Sequence, residues 1–338
     1  MKKILCSIGL GLSFALSAQS PVEYMTQISS EFKAIQGATW DYTKSVAKNK
    51  SARKVDKNRV ELVKTISASI EKVKKAGDFK GETYYRDSIL SYLVLNKAVV
   101  SYDYEKIMNL EEIAEQSYDL MDAYMAAQEA ASDKLAEAGE MVDQIEKKFA
   151  AENDIKLIEN TDKISLKLKK ASEVFDYYNP VYLIFFKSYK QEAYLSESLG
   201  KGDISGMEQN KSSLAGFAQE GLDKLAALND YNGDPSLKAA CSDMLAFYLD
   251  EAEKHYLVLI DYQTSKEAFE KAKAVIDTKK PNERTQEDVD NYNAVVKEYN
   301  KKTAEYNSTI NDLNKRRSTL LNTWNNTSAN FTNKHIMQ

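Results

Sequence analysis

A heptad run near the C-terminus constrains this chain more than any other feature. With Val289 as the first a position, the a series reads Val289, Val296, Thr303, Ile310, Arg317, Trp324, Phe331. The d series reads Tyr292, Tyr299, Tyr306, Leu313, Leu320, Thr327. Ten of these thirteen positions are apolar or aromatic, and the spacing alternates three and four without a slip. That 3.5-residue repeat predicts one helix over residues 285–332, about 70 Å long, lying against a partner along its whole length. No glycine or proline follows Pro281, so nothing in the segment forces a break.

The rest of the chain supplies the partners. Only 12 glycines and four prolines interrupt 338 residues, 29% of which are charged, and helical periodicity recurs throughout. These features predict an all-α fold, an elongated bundle of about nine helices, several of them long with heptad-like packing. The first residues, MKKILCSIGLGLSFALSAQS, have the plan of a secretory signal peptide. Lys2 and Lys3 are the charged start, residues 4–16 the apolar core, and Ala15, Ser17 and Ala18 the small residues for cleavage. The expected organisation is a cleaved leader at 1–18 and a single elongated domain at 19–338, with a candidate hinge near 153–162. The apolar core is too short to span a bilayer, so no transmembrane span is expected in the mature chain. Losing two lysines takes the formal charge from −5 to about −7. Cys241 is then the one remaining cysteine, which excludes a disulfide framework. The mild acidity argues against nucleic acid as a partner.

Taken in order, Ser20, Pro21 and Glu23 form a helix start of the capping-box type. The stripe Met25, Ile28, Phe32, Ile35, Thr39, Tyr42, Val46 follows. Ser51 is the expected cap of a second helix with Leu62, Ile66, Ile70 and Val73 inward and Gly77 as its stop. This hairpin carries eleven Lys or Arg over residues 44–75, including Arg53, Lys54, Lys57 and Arg59. It is a candidate surface for an anionic polymer or lipid headgroups. Plain solvation, or matching to the fourteen acidic residues of 103–152, is the simpler reading. A third helix spans about 83–102, and Asn109 with Glu112 marks the expected start of a fourth that ends near 152. A fifth is expected to stop at Tyr178, with Asn179 and Pro180 capping and restarting a sixth. The run VYLIFF at 181–186 is the innermost turn of the bundle or, alternatively, the wall of an apolar ligand pocket. A seventh helix spans about 205–229, an eighth runs unbroken from Pro235 to about 278, and the last opens at Thr285 with Asp288. The first and last helices both carry a tryptophan, Trp40 and Trp324, and are expected to pack together and close the bundle.

No arrangement of residues reads as a catalytic, cofactor or metal site. Glu251 and His255 share a helix face, but the residue three before His255 is Ala252, and a di-iron bundle needs Glu-x-x-His twice. Glu111, Glu112 and Glu115 read as a solvated face, since only the first and last of them point the same way. The most distinctive motif is a dipeptide recurring every seven residues, Tyr292-Asn293, Tyr299-Asn300 and Tyr306-Asn307, continued by Leu313-Asn314. Asn is a poor helix former, so tertiary contacts must offset the cost of placing four of them along one helix. They are candidates for binding a sugar or a partner chain, or form a polar flank bonded to neighbouring tyrosines or the adjacent helix.

Four segments also carry a resemblance: TWDYTKSVAKNKSARKVDKNR, MNLEEIAEQSYDLMDAYMAAQEAASDKLAEAG, YYNPVYLIFFKSYKQEAYL and RTQEDVDNYN. They resemble an uncharacterised family of exported helical bacterial proteins described as surface proteins, over almost all of the mature chain. The resemblance implies no activity, cofactor or catalytic residue. The expected function is that of a non-enzymatic structural or interaction protein of the bacterial cell envelope, in the periplasm or on the outer surface. Its partner would be another envelope protein or a surface polymer. The alternative is a helical binding module for a small apolar or carbohydrate-like ligand.

Overall fold

The computed structural model describes residues 19–48, 52–104, 114–158 and 162–337. Its helices are α1 (Pro21–Ala47), α2 (Ala52–Lys74), α3 (Tyr84–Ala98), α4 (Tyr118–Glu152), α5 (Lys163–Lys201), α6 (Ile204–Ala227), α7 (Ser236–Asp250), α8 (Tyr256–Thr278) and α9 (Gln286–Met337). A π turn, Glu251–His255, joins α7 to α8 without a break, so the described residues hold eight helical rods and no β-strand. The leader and the expected caps at Ser51 and Asn109 lie outside the described residues.

Local sequence accounts for most boundaries. The Ser20 hydroxyl accepts from the Glu23 amide, and the Glu23 carboxylate accepts from the Ser20 amide at 2.9 Å, closing the capping box with Pro21 at the first helical position. Asp162 caps α5 by accepting from the Ile164 and Ser165 amides. Gly202 ends α5 at φ +68, a conformation that L side chains resist. Thr285 and Asp288 cap α9 reciprocally, at 3.2 and 2.8 Å. Two boundaries differ from expectation. Helix α4 is capped by Ser117, eight residues beyond the expected start at Asn109, through its extended backbone (φ −151, ψ 164) and its hydroxyl, which accepts from the Leu120 amide. Pro180 does not restart a helix but lies inside α5. Its ring is on the exposed side, where water can satisfy the Asp176 carbonyl that a proline leaves without a donor.

The helices enclose two main cores. In the first, Tyr24, Ile28 and Ile35 of α1 meet Leu62, Ile66 and Ile70 of α2, Ile89 and Leu93 of α3, and Val142 and Phe149 of α4. Phe149 stacks on Tyr85 at 4.6 Å between ring centres. The second core gathers α5 to α9 around Val181, Phe185, Phe186, Leu214, Met244, Tyr248 and Leu259. Helix α1 reaches both, because Ala47 and Trp40 at its far end belong to the second core. Trp324 and Trp40 both border the second core. Trp324 stacks on Phe185 of α5 at 4.4 Å, while Trp40 lies beneath the Lys167 ammonium. The first helix is fastened chiefly to α2 and then α5, and meets the last helix over a small contact only.

Helix α9 has 52 residues and is about 78 Å long. All thirteen a and d positions from Val289 to Phe331 are buried or half-buried. Leu313, Trp324 and Phe331 are fully buried on this seam, and Ser328, Thr332, His335 and Ile336 are buried beside it. Near the C-terminus the inward face therefore widens around Trp324 and Phe331 to take in neighbouring positions. Toward its N-terminus the seam is only half-buried, held against α8 by the stacked rings Tyr262–Tyr306 (4.3 Å) and Phe269–Tyr299 (4.7 Å).

Candidate functional site

The densest polar chemistry inside the protein lies where α7 passes into α8. A π turn widens the helix by one residue and is frequent at functional positions. Here it begins at Glu251, directly after Asp250, and these adjacent acids face the adjacent arginines Arg316 and Arg317 of α9. Arg316 Nη2 donates to Asp250 Oδ2 at 2.8 Å. Arg317 Nη2 donates to Glu251 Oε1 and, at 2.9 Å, contacts Glu192 Oε1 of α5. Both guanidinium groups lie over the Phe247 ring, at 5.1 and 5.9 Å. His255 Nε2 is 3.3 Å from Asp250 and 3.2 Å from Arg316. Ser196 donates to Glu192 at 3.0 Å, and Asn314 accepts from Arg317 at 2.8 Å. Three helices are thereby tied at one level.

Burial decides the electrostatics of this cluster. Glu251 is wholly buried and Glu192 nearly so. Two carboxylates and one guanidinium leave one uncompensated negative charge. Loss of hydration pushes Glu251 up to about 7, against which the Arg317 attraction is insufficient. Asp250, at the edge, is held at about 2 by hydrogen bonds from Lys254 and Arg316. Burial and the Glu192 and Glu251 charges raise the Tyr248 hydroxyl well above the usual tyrosine value. Glu251 Oε2, Arg317 Nε, Tyr248 OH and Ser188 Oγ have no hydrogen-bond partner among the described residues. The arrangement fixes α9 to α5 and α7 and can take up a proton near neutrality. Among the described residues no group of three His, Cys, Asp or Glu side chains could hold a metal ion. The buried Cys241 thiol is pushed up by desolvation, away from a nucleophile's range.

The residues singled out from sequence lie elsewhere, in two separate places. Asn293, Asn300, Asn307 and Asn314 are all exposed along one flank of α9. The opposite flank, Asp288, Val295, Lys302 and Thr309, is half-buried against α8. The first three asparagines make no side-chain hydrogen bond within the described residues. Lys297, Ala304, Asn311 and Ser318, also exposed, interleave with them at the same three–four spacing. The result is a row of eight exposed positions with a single charge. Arg53, Lys54 and Lys57 are exposed on the first two turns of α2, beside the first core. Arg59 is drawn away from that face: its guanidinium donates to the Val100 and Ser101 carbonyls at 3.3 and 3.2 Å and to Asp56 at 2.9 Å. The hairpin's ion pairs are local, Lys44–Asp41, Lys74–Glu71 and Lys72–Glu31 among them, and none of these reaches the acidic α4.

The ionic cluster escaped the sequence reading, which treated Arg317 as an exception within an apolar seam. Paired arginines in such a seam, together with paired acids in the apolar eighth helix, were the available signal. No family model, no curated protein and no solved structure matches the chain.

Proposed function

We propose that this chain is a non-enzymatic structural or interaction protein of the bacterial envelope, exported by its leader, and that the exposed amide row of α9 is its contact surface. One observation carries the reading. A solvated helix face in a chain with 29% charged residues would carry Lys and Glu, whereas this row of eight positions holds five Asn, one Ser, one Ala and one Lys. Each exposed Asn costs helix stability, and for Asn293, Asn300 and Asn307 no side-chain hydrogen bond within the described residues offsets it. A partner that uses the amides would. The resemblance to exported helical surface proteins points the same way. No helix of the described residues is long and apolar enough to cross a membrane. The run at 181–186 supports a ligand pocket less well, since Phe185 and Phe186 are spent on packing against Trp324, Tyr182 and Tyr189.

Fractionation of the native cells, with protease shaving and intact-mass measurement, tests the first part. A chain found in the cytoplasm with residues 1–18 attached would sink it. For the second part, Asn293→Glu/Asn300→Glu/Asn307→Glu should abolish recovery of the protein with the envelope fraction at unchanged folding. Unaltered recovery would remove the amide row from the function.

A further inference from the structure

We infer that the outer face of α8 and α9 is a contact between two antiparallel copies of this chain. The inference stands on a knob and a hole found on one face. Leu257 and Val275 are 48% and 54% exposed, although both are large aliphatic side chains in a well-packed helix. They are eighteen residues apart, five whole turns at 3.6 residues per turn, so they project from α8 in the same direction. Singly exposed apolar residues are ordinary. These two are distinguished by what lies between and beside them. A 270 Å³ cleft opens between α8 and α9, walled by Ala268, Ala272, Val275, Tyr292 and Val295. The rest of the molecule lies on the other side of α8, where Tyr256, Leu259 and Ile260 are buried and Gln263 donates to the Leu199 carbonyl. Among the described residues nothing covers this face, which leaves it open to another chain.

Its pattern reads the same in both directions. Centre a twofold axis on residue 266 and run a second α8 antiparallel to the first. Leu257 and Val275 are each nine residues from the axis, so the leucine of one copy meets the cleft beside Val275 of the other. Asp261 and Lys271 are each five residues away, so an acid meets a base twice. Thr264 and Ala268 are each two residues away, and their small side chains let the helices approach closely. Asp261 is 59% exposed on its side chain and already accepts from Lys302, which leaves it free to accept a second cation. Lys271 is 79% exposed on its side chain and has only a loose contact, 3.8 Å, with Glu267. Each copy offers the same patch, so the contact closes on itself and stops at two. Eighteen residues of two helices present a face of about 27 by 20 Å, so the pair would bury roughly 1,100 Å² in total, above the about 1,000 Å² of a specific interface.

Sedimentation of the full protein purified from its host, over a range of micromolar concentrations, should give twice the chain mass. Leu257→Glu and Val275→Glu should each raise the dimer dissociation constant at least tenfold while the circular dichroism melt stays in place, since both side chains are exposed. Lys271→Asp should weaken the dimer, and Asp261→Lys added to it should restore the pairing. Mixing Thr264→Cys with Ala268→Cys should give a disulfide-linked dimer more readily than either variant alone, which reports the antiparallel register. A monomer at all concentrations overturns the proposal. So does a dimer indifferent to both Glu substitutions, or a face that captures another protein while the chain alone stays monomeric.

Discussion

Glu251→Gln should remove a pH dependence of stability that the buried cluster builds into the fold. In the unfolded chain Glu251 titrates near its ordinary value of 4.5, whereas in the folded protein burial raises it to about 7. Between those values the folded state binds a proton that the unfolded state has lost. Stability therefore falls as pH rises through this window, is fully present below pH 4.5, and levels off above about 7. A shift of two to three units corresponds to about 3 kcal/mol. Glutamine keeps the shape and the neutral form at all pH values. The variant should match the wild type at pH 4.5 and exceed it by about 3 kcal/mol at pH 8, a rise in melting temperature of several degrees for a protein of this size. Urea titrations of both proteins at half-unit steps from pH 4.5 to 8 read the difference directly, and other titrating groups cancel in it. If the difference stays flat across the window, Glu251 is ionised throughout and the uncompensated charge is balanced by something else. If the variant is less stable at pH 8, the Arg317 pair outweighs the burial cost and the reasoning fails.

Trp324→Ala should cost about 3–5 kcal/mol in the same titrations, because it removes the ring stacked on Phe185, while Asn325→Ala, on the exposed side, should change stability by less than about 0.5 kcal/mol. Arg59→Met should cost about 1–3 kcal/mol by leaving the Val100 and Ser101 carbonyls without their donor, and Lys57→Ala should be close to neutral. Pro180→Ala should stabilise the protein by about 2 kcal/mol: it restores an amide inside α5, worth about 3 kcal/mol, and gives back about 0.4–1 kcal/mol of unfolded-chain freedom.

Which parts of the fold were legible follows from how local their causes are. The capping boxes at Ser20 and Thr285 and the stop at Gly77 each rest on residues within one turn, and each appears where the sequence placed it. The inward stripes of α1 and α2 were legible for a related reason, since a run of apolar residues three and four apart has one way to be buried. Pro180 failed because its local rule was outweighed from a distance. The apolar residues that follow it, Val181, Phe185 and Phe186, are buried in the second core, and that packing holds α5 together through the proline. The seam of α9 faces inward over its length, since every a and d position from Val289 to Phe331 is buried or half-buried. What the repeat did not reveal is the wider burial near the C-terminus, where Ser328, Thr332, His335 and Ile336 join the seam.

The ionic cluster was the least legible feature, and the reason bears on how the molecule is assembled. Its three innermost charges come from positions 192, 251 and 317, so no pairing among them is local, and no periodicity signals them. Each charge breaks a rule of its own helix: Arg317 sits in an apolar seam, and Glu192 and Glu251 are buried carboxylates. A misaligned α9 would leave all three unpaired in the interior, at a cost of several kcal/mol. An apolar seam alone tolerates a slip of one turn, because the next apolar residue takes the place of the last. The cluster does not, because one turn moves Arg317 away from both acids. The three charges therefore set the register of α9 against α5 and α7. That register in turn fixes which residues of α9 stand beside α8, and so decides that the asparagine row faces outward while Val295 borders the cleft.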